Sequence, residues 1–173
     1  MPKPIHAALL GQYGAALAML SGCLERADAT DWLALVDRFG FWHVAYHTLF
    51  YADFYLSANE GSFRPQPFHL EDYNFLGPQS WAPDKKVAYD RPYDKETLAG
   101  YLNTCLAKVK TAIPAETEAS LAAPSGFSWL NFSRLELHIY NIRHIQHHSA
   151  QLATVPRRRE ADGVDWVGSR SPQ

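Results

Sequence analysis

Sustained alternation of apolar and polar residues is missing from this chain, and so is any hairpin signal of the Asn-Gly type. A β-sandwich or barrel is therefore not expected. Cysteine is scarce: Cys23 and Cys105 stand far apart and form no paired motif. That excludes a disulfide framework and fits a reducing, cytoplasmic setting. Charge of one sign is lacking too, with 16 Lys and Arg against 18 Asp and Glu and a formal net charge of −2. There is no global electrostatic case for binding nucleic acid or an anionic membrane. Arg157, Arg158 and Arg159 follow a helix end and read as a solvated terminus. No run reads as a transmembrane span. The residues after Met1-Pro2-Lys3-Pro4 are interrupted by His6, Gly11, Gln12 and Gly14, so no signal peptide is expected. A length of 173 residues fits one domain, 1–173, with a substantial core.

Aromatic residues, by contrast, are plentiful, at 13% with five Trp, nine Tyr and nine Phe. Leu9, Leu10, Ala16, Leu17, Leu20 and Leu24 recur at helical spacing and predict a first helix over about 5–26. A polar break at 27–31 follows, in which Thr30 or Asp31 is placed to cap the next helix. That second helix, about 32–58, is apolar and aromatic on most sides, and Gly40 either kinks it or sets off a short lead-in helix. Residues 59–92 hold Pro65, Pro67, Pro78, Pro83 and Pro92, which preclude regular helix. They also hold Phe63, Phe68, Tyr73, Phe75, Trp81 and Tyr89, too many aromatics for a solvated linker, so a packed crossover at one end of the bundle is predicted. Asp94 caps a third helix with a break at Pro114, and a fourth runs from Asn131 or Ser133 to Thr154, ended by Pro156. In the tail, 156–173, Val164, Trp166 and Val167 are expected to dock. The fold class is all-α: a four-helix bundle with a long irregular aromatic and Pro-rich crossover between the second and third helices.

Eight histidines include two pairs at i, i+4: His43 with His47, and His144 with His148. On a helix each pair shares one face, one turn apart, and two neutral imidazoles so placed can converge on one divalent metal. The pattern alone is weak, since this composition produces about 0.4 such pairs by chance. His147 points about 100° away from His148. Asn141, His144, His148 and Gln151 follow i, i+3, i+7, i+10, a continuous polar stripe. Facing a core, such a stripe needs a metal, a ligand or water to satisfy it; facing solvent it needs nothing.

Trp42-His43-Val44-Ala45-Tyr46-His47-Thr48-Leu49-Phe50-Tyr51 and His144-Ile145-Gln146-His147-His148-Ser149-Ala150-Gln151 resemble the two halves of the DinB-like superfamily signature. The Pro92-Tyr93-Asp94-Lys95-Glu96-Thr97-Leu98 start of the third helix is similar as well. The resemblance implies a four-helix bundle with a long crossover, often a homodimer, holding one divalent metal on three histidines. Carried over, the ligands are His47, His144 and His148. Where members have Arg-Gly-Gln after the paired histidines, this chain has Ser149-Ala150-Gln151, and only the Gln matches.

Three imidazoles leave coordination positions open, the arrangement of a catalytic rather than a structural site. Nitrogen ligands suit zinc or nickel, and also iron or manganese. Such a metal lowers the pKa of a water or thiol bound to it, or polarises a carbonyl. The superfamily includes thiol-dependent transferases, so the expectation is a metal-dependent transferase or hydrolase acting on a small molecule. Tyr51, Asn141 and Gln151 are candidate substrate-binding groups. The carboxylates nearest in sequence, Asp53 and Glu136, read as surface groups or as supports behind the ligands. The competing expectation is a non-catalytic bundle stabilised by its metal.

Overall fold

A computed structural model describes residues 4–80, 83–84, 89, 91–158 and 163–172. Trp81 of the crossover and Arg159 of the arginine run lie outside the described residues. The elements are α1 (Pro4–Arg26), α2 (Ala29–Leu33), β1 (Leu35–Val36), β2 (Phe39–Gly40), α3 (Phe41–Tyr55), a 3-10 turn (Glu60–Ser62), α4 (Lys95–Ala115), α5 (Glu118–Ala122) and α6 (Arg134–Arg157). The described chain is mainly helical. Of the long helices, α1 packs on α4 and α6, and α3 packs on the same two.

The second predicted helix is two. Asp28, rather than Thr30 or Asp31, caps α2: its carboxylate accepts from the Thr30 and Asp31 amides at 2.8 and 2.9 Å, and Asp31 accepts from the Asp28 amide in return. This reciprocal cap satisfies donors that a helix start leaves open. A two-residue hairpin then pairs Leu35 with Gly40, turning through Asp37 at φ 59°. Gly40 stands in extended backbone just before α3, where a Cβ would meet the Trp42 indole nitrogen at 2.9 Å. The long helix therefore starts at Phe41.

Proline is tolerated further into the helices than predicted. Pro114 and Pro156 sit inside the last turns of α4 and α6. A proline there removes one hydrogen bond where the ladder is ending anyway. By length and composition α1 passes as a membrane span, contrary to the reading of the sequence, yet most of it is buried against its neighbours, as in a core helix.

Two ionic clusters fix the helices relative to one another. Lys108 on α4 forms an ion pair with Asp53 on α3 and also donates to the Ser57 hydroxyl at 2.8 Å, while Tyr101 donates to Asp53 at 3.0 Å. Asp53 is thus a buried tie to α4, neither a surface group nor a support behind the histidines. Arg134 donates to Glu116 at 2.8 Å, and His138 lies 3.2 Å from the same carboxylate and 3.1 Å from the Tyr13 hydroxyl. Burying these charges is tolerated because each is paired. The crossover is packed against α3, where His43 donates to the Tyr73 carbonyl at 2.9 Å, and its end is tied to α2, where Trp32 donates to the Tyr93 carbonyl at 2.7 Å.

Residues 163–172 run along α1. The Arg170 amide donates to the Gly11 carbonyl and the Gln12 side chain to the Gly168 carbonyl, both at 3.0 Å. Val164 packs on the core, but Trp166 is 75% exposed and does not dock as expected. A Cβ on Gly14 would lie 1.8 Å from the Arg170 carbonyl oxygen. Backbone cannot give way as a side chain tip can. Gly14→Ala should therefore displace this segment and cost about 1–3 kcal/mol, by the measure of overpacking. Limited proteolysis should release residues beyond 163 faster than in the wild type. Gly100→Ala, with nothing within 4 Å, serves as the matched control and should be neutral or stabilising.

Candidate metal centre

The site forms where α3 crosses α6. One turn of α3 presents His47 and Tyr51, and one turn of α6 presents His144 and His148. The three imidazoles meet ring against ring. His47 lies 5.1 Å from His144 and 4.7 Å from His148, centroid to centroid, and the α6 pair is 4.6 Å apart. One nitrogen from each lies within 4.8 Å of the other two.

The hydrogen bonds decide which nitrogens are free. His47 Nδ1 lies 2.7 Å from the Asn74 carbonyl oxygen, which can only accept. Nδ1 therefore carries the proton, and Nε2 presents a bare lone pair. His148 Nδ1 lies 2.7 Å from Gln151 Oε1, so its Nε2 is bare by the same reasoning. His47 Nε2 and His144 Nε2 stand 3.1 Å apart, so without a metal the His144 Nε2–H must donate to His47. Binding a cation would move that proton to Nδ1, the one ring nitrogen here that is buried with no partner. A tetrahedral centre with bonds of about 2.0–2.1 Å sets its nitrogens about 3.3 Å apart. The donor set and its outer acceptors fit a divalent cation, with two of three ligands oriented by a partner behind them.

Burial and mutual repulsion keep the rings neutral. Desolvation, then the neighbouring His148, push His47 down to about 3. Desolvation, then His47 and His148, push His144 down to about 2. His148 is pushed down to about 4 by desolvation, against the opposing pull of Gln151. Neutral imidazole is the ligating form.

The three rings stand in the wall of a cavity of about 780 Å³. Phe50, Tyr51, Phe54, Tyr55, Phe75, Trp129 and Tyr140 provide its apolar lining, with Asn74, Gln79 and Glu60 as the other polar groups. Tyr51 is on this wall, 4.8 Å from the His47 ring, and its hydroxyl accepts from the Asn74 amide at 3.3 Å. Burial raises its pKa, so it stays a phenol. Gln151 stands behind His148 as a positioning group. Asn141 is fully buried behind the site, donating to the Ala52 carbonyl at 3.1 Å, and does not line the cavity. Glu136 is exposed.

The other histidines are engaged elsewhere. His43 stacks on Trp42 and bonds the crossover, His69 bonds the Tyr46 hydroxyl at 2.6 Å, and His6 bonds the Glu116 carbonyl at 2.9 Å. His147 is exposed. Sequence reasoning missed Asn74, which acts through its backbone carbonyl and so leaves no mark on residue type. It also missed Trp129 and Tyr140, for which the high aromatic content was the only signal. Compared with protein-family models, curated proteins and solved structures, the chain finds no match in any of the three.

Two outcomes follow from this geometry. Gln151→Leu removes the acceptor behind His148 and should weaken metal binding about 10–100-fold, read by competition with a chromophoric chelator. Acid should destabilise the metal-free protein. An unfolded imidazole takes its proton near pH 6.5, whereas the folded chain holds His148 and the buried His138 neutral to about 4 and the other two lower still. The unfolded state binds more protons in that window, so stability is complete above about pH 6.5 and falls as the pH drops toward 4. Urea midpoints across that range should decline steadily; a flat profile would contradict the neutral-imidazole assignment.

Proposed function

We propose that this chain is a metal-dependent enzyme of the DinB-like kind, a four-helix bundle whose His47, His144 and His148 hold one divalent ion. The observation that carries this is the convergence of three neutral imidazoles on the wall of an open aromatic cavity. A metal serving only to staple helices would be closed over by protein; the cavity beside this cluster favours a reacting partner. The bundle reading is supported by the way α1 and α3 each pack on both α4 and α6, with the crossover between α3 and α4.

Zinc or nickel suits three imidazoles best, and iron or manganese is compatible. When bound, the ion supplies a Lewis acid that activates a water or thiol, or polarises a carbonyl, in a transfer or hydrolysis on a small molecule. The chain's own contribution is positional and protic. Asn74 and Gln151 hold two rings in the ligating tautomer. Tyr51, accepting from Asn74, has its own hydroxyl proton free to donate toward the reacting atoms, and its raised pKa keeps that proton in place. The aromatic walls exclude water from the substrate's apolar portion.

Purified protein should contain near-stoichiometric divalent metal, and His148→Ala should lose it. Zinc or nickel added to metal-free protein at about 100 times Kd should stabilise it by about 2.7 kcal/mol, raising Tm by roughly 5–10 °C. Absence of metal together with an unmoved Tm would sink the proposal. With metal confirmed, a panel of small thiols and electrophiles should show turnover that Tyr51→Phe lowers in kcat more than in KM.

A further inference from the structure

The cavity wall follows α3, and its chemistry changes along that helix. Along α3 its wall runs from His47 through Tyr51 to Phe54 and Tyr55, about 12 Å at 1.5 Å per residue. The rings form a continuous ladder: His47 to Tyr51 is 4.8 Å, Tyr51 to Tyr55 5.6 Å, Tyr51 to Phe54 6.0 Å, and Phe54 to Trp129 6.0 Å at 10° between planes. Trp129 is half exposed at the end away from the histidines. Glu60, in the 3-10 turn that follows α3, lines the same cavity. Among the described residues it is the only formally charged side chain that does so; the three imidazoles are neutral. Aromatic faces and a carboxylate at one end recognise the same thing, an organic cation.

We propose that the cavity binds an elongated apolar amine, its ammonium group held by Glu60 at the exposed Trp129 ring and its apolar body laid along the ring ladder toward the three imidazoles. This deepens the metalloenzyme reading by naming its substrate class, but the amine end does not pass through the metal. An anion of the same shape is disfavoured by Glu60. A neutral molecule gains the ladder and loses the cation's contacts.

The test uses three probes that differ only in their end group: 4-phenylbutylamine, 4-phenylbutanol and 4-phenylbutyrate. Each is titrated calorimetrically into the protein as purified, with metal content measured on the same sample. The amine should bind about tenfold tighter than the alcohol. Glu60→Gln should bring the amine down to the alcohol's affinity and leave the alcohol unchanged, while Trp129→Ala should weaken both. Both side chains are exposed, so these variants should fold, which circular dichroism checks. Failure of the amine to bind, a preference for the butyrate in wild type and Glu60→Gln alike, or an amine affinity unmoved by Glu60→Gln would overturn the proposal. A metal-free sample that keeps the Glu60-dependent amine preference would support this inference and count only against the metal.

Discussion

Three imidazoles packed ring against ring between α3 and α6 cannot share that space while carrying positive charge. The seam is desolvated, and each protonated ring would repel the other two at centroid distances of 4.6–5.1 Å. The fold must hold them neutral and give each ring a reason to keep its orientation. Asn74 and Gln151 meet that requirement for two rings, and the first is supplied by a crossover with no regular secondary structure at that point. The packing of residues 63–75 on α3 is therefore part of the site, because it delivers one carbonyl to one ring nitrogen.

The ionic ties further along the same two helices serve the same end. Asp53 lies six residues after His47 on α3 and is anchored to Lys108 and Tyr101 of α4. A slip of α3 by one turn would break that buried pair and carry His47 about 5.4 Å along the seam. Arg134 and His138 anchor the start of α6 to Glu116 in the same way. Asn141, fully buried and bonded to the Ala52 carbonyl, joins α6 to α3 three residues before His144. The polar stripe at 141, 144, 148 and 151 is thus divided by depth. Its first member binds helix to helix, the middle two are the ring pair, and the last holds a ring from behind.

What was legible in the sequence follows the range of each interaction. His144 and His148 were legible because a helix fixes i, i+4 geometry locally. Asp94 was legible as a cap for the same reason, since it bonds an amide three residues away, whereas Ser133, which caps α6 in the same way, was only one of two starts offered for that helix. Choosing His47 over His43 rested on a resemblance, because both lie on α3 and periodicity does not say which turn meets α6. Asp28 was missed beside two equally plausible caps, and Pro156 was read as a stop although its lost hydrogen bond falls where the helix ends. The cavity was illegible because Tyr140, Trp129 and Phe54 come from three separate segments and meet only after folding.

The contact of residues 163–172 with α1 bears on the order of folding. The bonds from Gly168 and Arg170 to Gln12 and Gly11 join segments separated by nearly the whole chain. Contacts of such sequence separation form late and slowly. During synthesis α1 emerges before α4, α6 and residues 163–172, the segments it lies against. An apolar helix of 23 residues is thus left waiting for its partners, and the glycine-lined surface is the last part of it to be covered. Until those partners arrive its apolar face stays open to water.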